Sequence, residues 1–159
     1  MATLIDNIIG KLSFDYGWTR PYKLCFLDEP IVVRLSVSGD EDGFIQENQR
    51  SAFANFDANL DVHVKNAEAA IFEYYSGIFS ECREKFGAEF ADQMAPIITQ
   101  KEQLKILIKP TSLFIPESFD SDDRIVGLLY NCSWDTSLDL AVKFINENID
   151  EIGPQDIIL

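Results

Sequence analysis

Apolar and polar residues alternate in three segments near the N-terminus. Residues 12–16, 22–27 and 31–37 place apolar side chains at every second position. This two-residue period is typical of strands with one buried face. The link Asp28–Pro30 is short and turn-forming, so we expect neighbouring segments to pair as an antiparallel meander that ends at Gly39–Gly43.

The spacing of apolar residues then changes to the helical period of about 3.6 residues. Residues 45–56 fit one apolar helix face, and a longer stripe runs from Leu60 to Phe86. Gly87 follows that stripe and predicts the end of the long helix. A capping box at Thr99 predicts a further short helix that Pro110 ends.

Strand character returns in the last third of the chain. Residues 112–115 have strand character and residues 138–144 alternate, whereas 124–132 is almost wholly apolar. The apolar segment predicts a central strand covered on both faces. A last short strand is predicted at 156–159.

This order of elements predicts an α+β fold in one domain that spans residues 1–159. The sheet is expected to be mainly antiparallel and built from the N-terminal meander and the C-terminal strands. The helices are expected to pack on one of its faces.

The charge of the chain limits its partners. Asp and Glu total 27 against 13 Lys and Arg, which gives a formal net charge of −14 in 159 residues. Phosphate binding and anionic membrane surfaces both require clustered cations. We therefore expect neither direct nucleic-acid binding nor membrane binding, and a basic protein or a metal ion remains open as the partner.

The start of the chain suggests a compartment. Its short apolar run follows no basic residues and is interrupted by Asp6, unlike a secretory signal, and no later window is long and apolar enough to span a bilayer. The three cysteines are odd in number and far apart, so paired disulfides are not expected. These features predict a cytoplasmic protein.

The negative charge is concentrated in the expected loops and in the C-terminal strands. Residues 28–42, 117–124 and 135–159 hold most of it. Such acids can serve solubility and the protection of sheet edges. They can also form a patch that docks on a basic protein and speeds association. The candidate interface residues are Asp40, Glu41, Asp42, Glu117, Asp120, Asp122 and Asp123, with Asp135 and Asp139 behind them.

Motifs for catalysis or for a cofactor are not evident. His63 is the single histidine, and no nucleophile can be assigned to it from the sequence. The alternative for His63 is a partly exposed helix residue. The sequence lacks the histidine and cysteine pattern of a zinc site. It also lacks the Gly-x-Gly-x-x-Gly and Walker motifs of nucleotide-binding proteins. We therefore predict no cofactor, no resident metal and no enzymatic activity.

Calcium is the one metal with a partial motif. The loop from Ser38 to Gly43 places oxygen ligands and a glycine as the first half of an EF-hand loop does. Gln49 then occupies position 12 of the loop, where an EF-hand has a glutamate that binds calcium through both carboxylate oxygens. The alternative is a polar turn in which Asp42 caps the following helix.

The C-terminal third of the chain contains sequence motifs that are similar to those of a known family. An apolar strand ending in Trp134-Asp135, then Leu140-Ala-Val-Lys-Phe144, then Gly153-Pro-Gln-Asp156, resembles an uncharacterised bacterial α+β domain family. Upstream, the Gln49 to Phe56 helix and the Tyr74-Tyr75 pair are similar to the same pattern. Physically, Trp134-Asp135 is interpreted as a hairpin cap, in which Trp packs and Asp accepts backbone N–H groups.

Small acidic α+β proteins of this kind resemble the immunity proteins of contact-dependent growth inhibition. That resemblance implies a cognate toxin domain, bound one to one and blocked by occlusion. The toxin is expected to be a basic nuclease, an RNase rather than a DNase. Two alternatives stay open: a non-catalytic regulatory or scaffold module with another protein partner, and a Ca²⁺- or Mg²⁺-binding protein.

Overall fold

Eight strands form one sheet in the order of the chain. The computed structural model describes residues 2–159. All neighbouring strands pair antiparallel except β4 and β5, which are parallel. The predicted α+β class is thereby confirmed. The strands are β1 (Thr3–Asp6), β2 (Gly10–Phe14), β3 (Trp18–Phe26), β4 (Glu29–Val37), β5 (Ile108–Ile115), β6 (Ile125–Cys132), β7 (Leu140–Ile145) and β8 (Asn148–Gly153).

In the sequence, the helices lie between the parallel strands β4 and β5. In the fold, they cover one face of the sheet. They are α1 (Glu47–Ala58), α2 (Leu60–Met94) and a 3-10 helix (Lys101–Ile106). A parallel pair needs such a crossover, because the chain must return to the edge where it began. Within the described residues, none of these helices has both the length and the hydrophobicity to cross a bilayer.

The sheet curves around α1, so that side chains from distant strands meet. The ring of Phe26 on β3 lies 6.1 Å from that of Tyr130 on β6. Phe56 of α1 packs edge-on against Phe144 of β7, with ring centroids 4.9 Å apart. Burying one such apolar side chain contributes about 1.5–3 kcal/mol. The helix is thus the centre of the core.

The outer face of β6 and β7 is covered by the end of the chain. A methyl group built on Gly127 would lie 2.6 Å from Cδ1 of Ile158, so a glycine allows this close approach. The prediction that 124–132 is covered on both faces is confirmed. The predicted strand at 156–159 is wrong, because Gln155–Ile157 forms a 3-10 turn that brings Ile158 onto the sheet.

The first helical segment of α2 ends at Gly87, as predicted. Gly87 has φ 74° and ψ 173°, outside the helical region, and a second helical segment follows it to Met94. The guanidinium of Arg83 donates to the carbonyl oxygens of Ala91 and Ala95, at 3.2 and 2.9 Å, which ties the returning segment to the helix. We call residues 76–96 the arm. From residue 76 to residue 90 no side chain is fully buried, and Ile78, Phe79, Cys82 and Phe86 pack partly buried against the core.

The short helix after the arm begins and ends differently from the prediction. Its capping box consists of Gln100 and Gln103, one residue after the predicted position at Thr99. Its 3-10 turns end before β5, and Pro110 lies inside that strand. Proline is tolerated there because the β5–β6 register shifts just after it, which indicates a bulge.

Gln49 joins the ends of the two parallel strands to α1. Its side chain is 1% exposed. Its Nε2 donates to the carbonyl oxygens of Ser38 and Ile115, at 2.9 and 3.3 Å, and its Oε1 accepts from the backbone N–H of Gln46 at 2.9 Å. One amide therefore satisfies buried backbone groups from three segments of the chain.

Replacing Gln49 with leucine should destabilise the fold. Gln49→Leu leaves two carbonyl oxygens and one N–H without this partner, so we expect the free energy of unfolding to fall by about 2–4 kcal/mol. Urea denaturation followed by circular dichroism measures it. The control is Asn55→Leu, an exposed α1 position whose amide reaches only Ser51, which should change stability by less than about 0.5 kcal/mol. Equal effects of the two changes would refute the role given to Gln49.

Candidate functional site

Two acidic loops lie together at one end of the sheet. Because β4 and β5 are parallel and Val37 pairs with Ile115, the loops that follow them leave from the same edge. The first loop spans residues 38–46 and the second spans 116–124. We call these two loops, with the β2–β3 turn at residues 15–17 beside them, the acidic end.

Hydrogen bonds hold the two loops side by side. The N–H of Ser38 donates to the carbonyl oxygen of Ile115 at 3.0 Å. The N–H of Ser118 donates to Oε1 of Gln46 at 3.0 Å. Gln46 is also the N-cap residue of α1, so the helix start positions both loops.

Seven of the nine predicted interface residues converge here. No Lys or Arg occurs in 35–49 or in 110–123. Arg124, which follows the second loop, is paired with Glu147 through two bonds of 2.8 and 2.9 Å, and Arg34 is paired with Asp15 of the β2–β3 turn at 3.2 Å. The convergent acids are Asp40, Glu41, Asp42, Glu117, Asp120, Asp122 and Asp123, of which Glu117 and Asp123 are half-buried and the others exposed.

A cleft separates the start of α1 from the second loop. It has a volume of about 480 Å³ and is lined by Glu47, Asn48 and residues 118–122. Glu47 on the α1 wall is paired with Arg50 at 2.6 Å, whereas Asp120 and Asp122 on the loop wall have no basic side chain among the lining residues. The loop wall can therefore attract a cationic side chain into the cleft.

Exposed aromatic side chains accompany these acids. Tyr16, Phe44 and Phe119 are 101%, 82% and 79% exposed, and each lies in a loop or turn of the acidic end. Sequence reasoning missed them. For Phe119 the available signal was an aromatic residue between polar and acidic neighbours, whereas Tyr16 continues the alternation of residues 12–16 and Phe44 precedes the apolar Ile45.

Asp135 and Asp139 lie at the opposite end of the sheet. β6 runs antiparallel to β5, so the β6–β7 turn is next to the start of β5. Oδ1 of Asp135 accepts the N–H of Leu138 at 3.0 Å, and Oδ1 of Asp139 accepts the N–H of Cys132 at 3.2 Å. Trp134 packs on Tyr75, with ring centroids 4.8 Å apart. These are the contacts expected of a hairpin cap.

His63 is buried rather than partly exposed, contrary to the alternative drawn from the sequence. It is 8% exposed, stacks on Phe56 at 4.7 Å between centroids and meets Phe144 edge-on. Neither ring nitrogen has a hydrogen-bond partner among residues 2–159. Desolvation lowers the pKa of His63, although Glu147 opposes the shift. The residue therefore serves as a neutral aromatic in the core.

The alternative function as a Ca²⁺- or Mg²⁺-binding protein finds no cluster of ligand side chains in the part of the chain that is described. No group of three or more His, Cys, Asp or Glu side chains is placed to hold an ion among residues 2–159. The side chain of Gln49, at the twelfth position of the loop, bonds to backbone groups instead. The predicted helix cap at Asp42 is wrong, because α1 begins after Gln46.

One comparison with known proteins gives a match. Residues 8–159 match the profile of a family described as "Domain of unknown function (DUF6985)". No curated protein and no solved structure matches the chain.

Replacing an acid of the β6–β7 turn should lower the stability of the fold more than replacing an exposed acid of the acidic end. Asp135→Ala deletes the acceptor of a turn N–H, so we expect a loss of about 1 kcal/mol in unfolding free energy. Asp120→Ala removes an exposed carboxylate and should change it by less than about 0.5 kcal/mol. Thermal or urea unfolding measures both. A stability loss at Asp120 as large as that at Asp135 would contradict the assignment.

Burial of His63 predicts that acid destabilises the fold. Its pKa is lowered in the folded state relative to about 6.5 in the unfolded chain. The stability it contributes is therefore present above that value and is lost as pH falls below it, by at most about 1.4 kcal/mol per pH unit. His63→Phe should flatten this dependence between pH 7 and 5.5 in urea titrations. An unchanged slope in the variant would exclude His63 as its source.

Proposed function

The chain belongs to the DUF6985 family, and we propose that it is an immunity protein that binds and neutralises a cognate toxin domain. In this proposal the complex is one to one and forms in the cytoplasm of the cell that makes both proteins. The toxin is a basic nuclease, an RNase rather than a DNase. No cofactor, membrane or direct nucleic-acid contact takes part.

The observation that carries the proposal is the convergence of two acidic loops at the ends of parallel strands. Loops 38–46 and 116–124 contain only acidic charged residues until Arg124, which Glu147 neutralises. Gln46 and Gln49 bond to backbone groups at the bases of both loops, so the acids of the two loops share one surface. A surface of one charge sign favours a partner of the opposite sign.

A nuclease offers such a partner surface. Its substrate groove must be basic in order to hold phosphates. An acidic protein is attracted to the same groove and excludes the substrate by occupying it. The acidic end supplies the charge for this role, and its exposed aromatic side chains supply apolar contact area.

Growth assays test the proposal directly. Genes next to the one that encodes this chain are expressed singly, and those whose products stop growth are then co-expressed with it. We expect growth to recover with one of them, and light scattering to give a one-to-one complex. If every growth-arresting neighbour remains toxic in its presence, the proposal is wrong, and a regulatory module with another partner replaces it.

Charge reversal tests where the toxin binds. The triple change Asp40→Lys, Glu41→Lys, Asp42→Lys should slow association at low salt by about tenfold or more, because steering depends on opposite charge. Surface plasmon resonance at two salt concentrations measures the rate and its salt dependence.

The arm provides a matched control for this experiment. Glu81→Lys, Glu84→Lys, Glu89→Lys changes the net charge equally on exposed positions at the other end of the molecule. We expect a much smaller decrease in association rate. Equal slowing by both triple changes would show that net charge, rather than the acidic end, governs association.

A further inference from the structure

Three aromatic side chains of the acidic end are exposed without structural need. Phe44 and Phe119 extend from the two acidic loops, and Tyr16 extends from the turn between β2 and β3. None of the three belongs to the core cluster or packs against it. Exposed aromatic groups beside carboxylates present both ring faces and negative charge to a partner.

Tyr16 also occupies an unfavourable backbone conformation. Its φ is 55°, in the left-handed region that glycine and asparagine adopt more easily than a bulky aromatic residue. Asparagine at this position would suit the turn better. Tyrosine thus stands here at some cost to the turn, and its exposed ring is available to a partner.

A buried donor without an acceptor lies beneath the first loop. Trp18 is 4% exposed, and its Nε1 has no hydrogen-bond partner among the described residues. Cδ1, the ring atom bonded to Nε1, lies 3.8 Å from the position of a methyl group built on Gly39. The indole N–H edge thus borders the loop that carries Asp40, Glu41 and Asp42. A carbonyl oxygen brought there by a bound segment, or by the loop closing on it, would satisfy this donor.

These observations have one ligand chemistry in common. Arginine combines a positive charge with a planar, weakly hydrated guanidinium that stacks on aromatic faces. Lysine carries the same charge, but its ammonium is more strongly hydrated and does not stack as a plane. A surface with carboxylates alone would scarcely distinguish the two, whereas a surface with exposed rings favours arginine.

We propose that the acidic end recognises an arginine-rich protein segment, with guanidinium groups lying on the rings of Tyr16, Phe44 and Phe119 and paired with the carboxylates of loops 38–46 and 116–124. This rests on the proposed function, because it specifies the chemistry of the surface that the toxin presents there. The carboxylates set the rate of encounter. The rings set the lifetime of the complex and the preference for arginine over lysine.

Peptide titration tests the preference without the toxin. An oligoarginine peptide and an oligolysine peptide of equal length are titrated into the ¹⁵N-labelled full chain at moderate salt. We expect the arginine peptide to bind about fivefold more tightly or better, since a stacked guanidinium contributes about 1 kcal/mol. Equal affinities for the two peptides would overturn the proposal.

The two tryptophans supply an internal reporter and its control. The indole N–H signal of Trp18 should shift on titration, because its donor borders the first loop. The signal of Trp134 should stay in place, because that residue lies at the opposite end beside Tyr75. Trp134→Phe assigns the two signals. A shift of Trp134 with no shift of Trp18 would place the binding elsewhere and overturn the proposal.

Variants separate the rings from the charge. Phe44→Ala with Phe119→Ala should abolish the arginine preference, while Phe90→Ala, on the half-exposed arm position, should leave it intact. Tyr16→Asn should weaken arginine binding without loss of stability, which excludes misfolding as the cause. A retained preference in the double variant would overturn the proposal.

The outcomes also distinguish this proposal from the proposed function. If the arginine preference is absent while the growth assay succeeds, the immunity role stands and the recognition chemistry proposed here fails. If the acidic end prefers arginine but no neighbouring product is neutralised, the recognition stands and its partner is another arginine-rich protein.

Discussion

The parallel pairing of β4 with β5 is the constraint on which the rest of the structure depends. It joins two antiparallel meanders into one sheet and requires the helical crossover that fills the core. It also sends the loops after both strands to the same edge. Had this pair been antiparallel, those loops would lie at opposite edges of the sheet. Gln49 secures the arrangement, since its amide bonds to the backbone beyond both strand ends.

Local patterns predicted most strands but not the pairing between the two halves. Val33 and Leu35 alternate with polar residues, and 124–132 is continuously apolar, so β4 and β6 were recognisable from the sequence. The edge strands β1 and β8 are short and mostly exposed, and therefore carry little periodicity. The parallel contact joins residues 34–37 to 112–115, and no local signal encodes a pairing across that separation.

The candidate site was predictable in its charge but not in its geometry. Composition indicated that the loops are acidic, and the topology then decided which acids share a surface. Asp135 and Asp139 separate from the others because β6 reverses direction, and their carboxylates cap a turn. Tyr16 looked like the last residue of a strand, whereas its left-handed φ places it in a turn. His63 is buried by contacts from another element, which helix periodicity does not specify.

The break at Gly87 divides the chain into two topological halves. Residues before it contain β1–β4 and α1, and residues after it contain β5–β8, so the connection between the two halves passes through an exposed position of the arm. Gly87 is exposed, and nothing lies within 4 Å of a methyl group built on it. Exposed positions of this kind tolerate chain breaks and insertions. The molecule is accordingly suited to fragment complementation: two separately expressed pieces would reassemble along β4 and β5, and a reporter inserted at Gly87 would sit far from the acidic end.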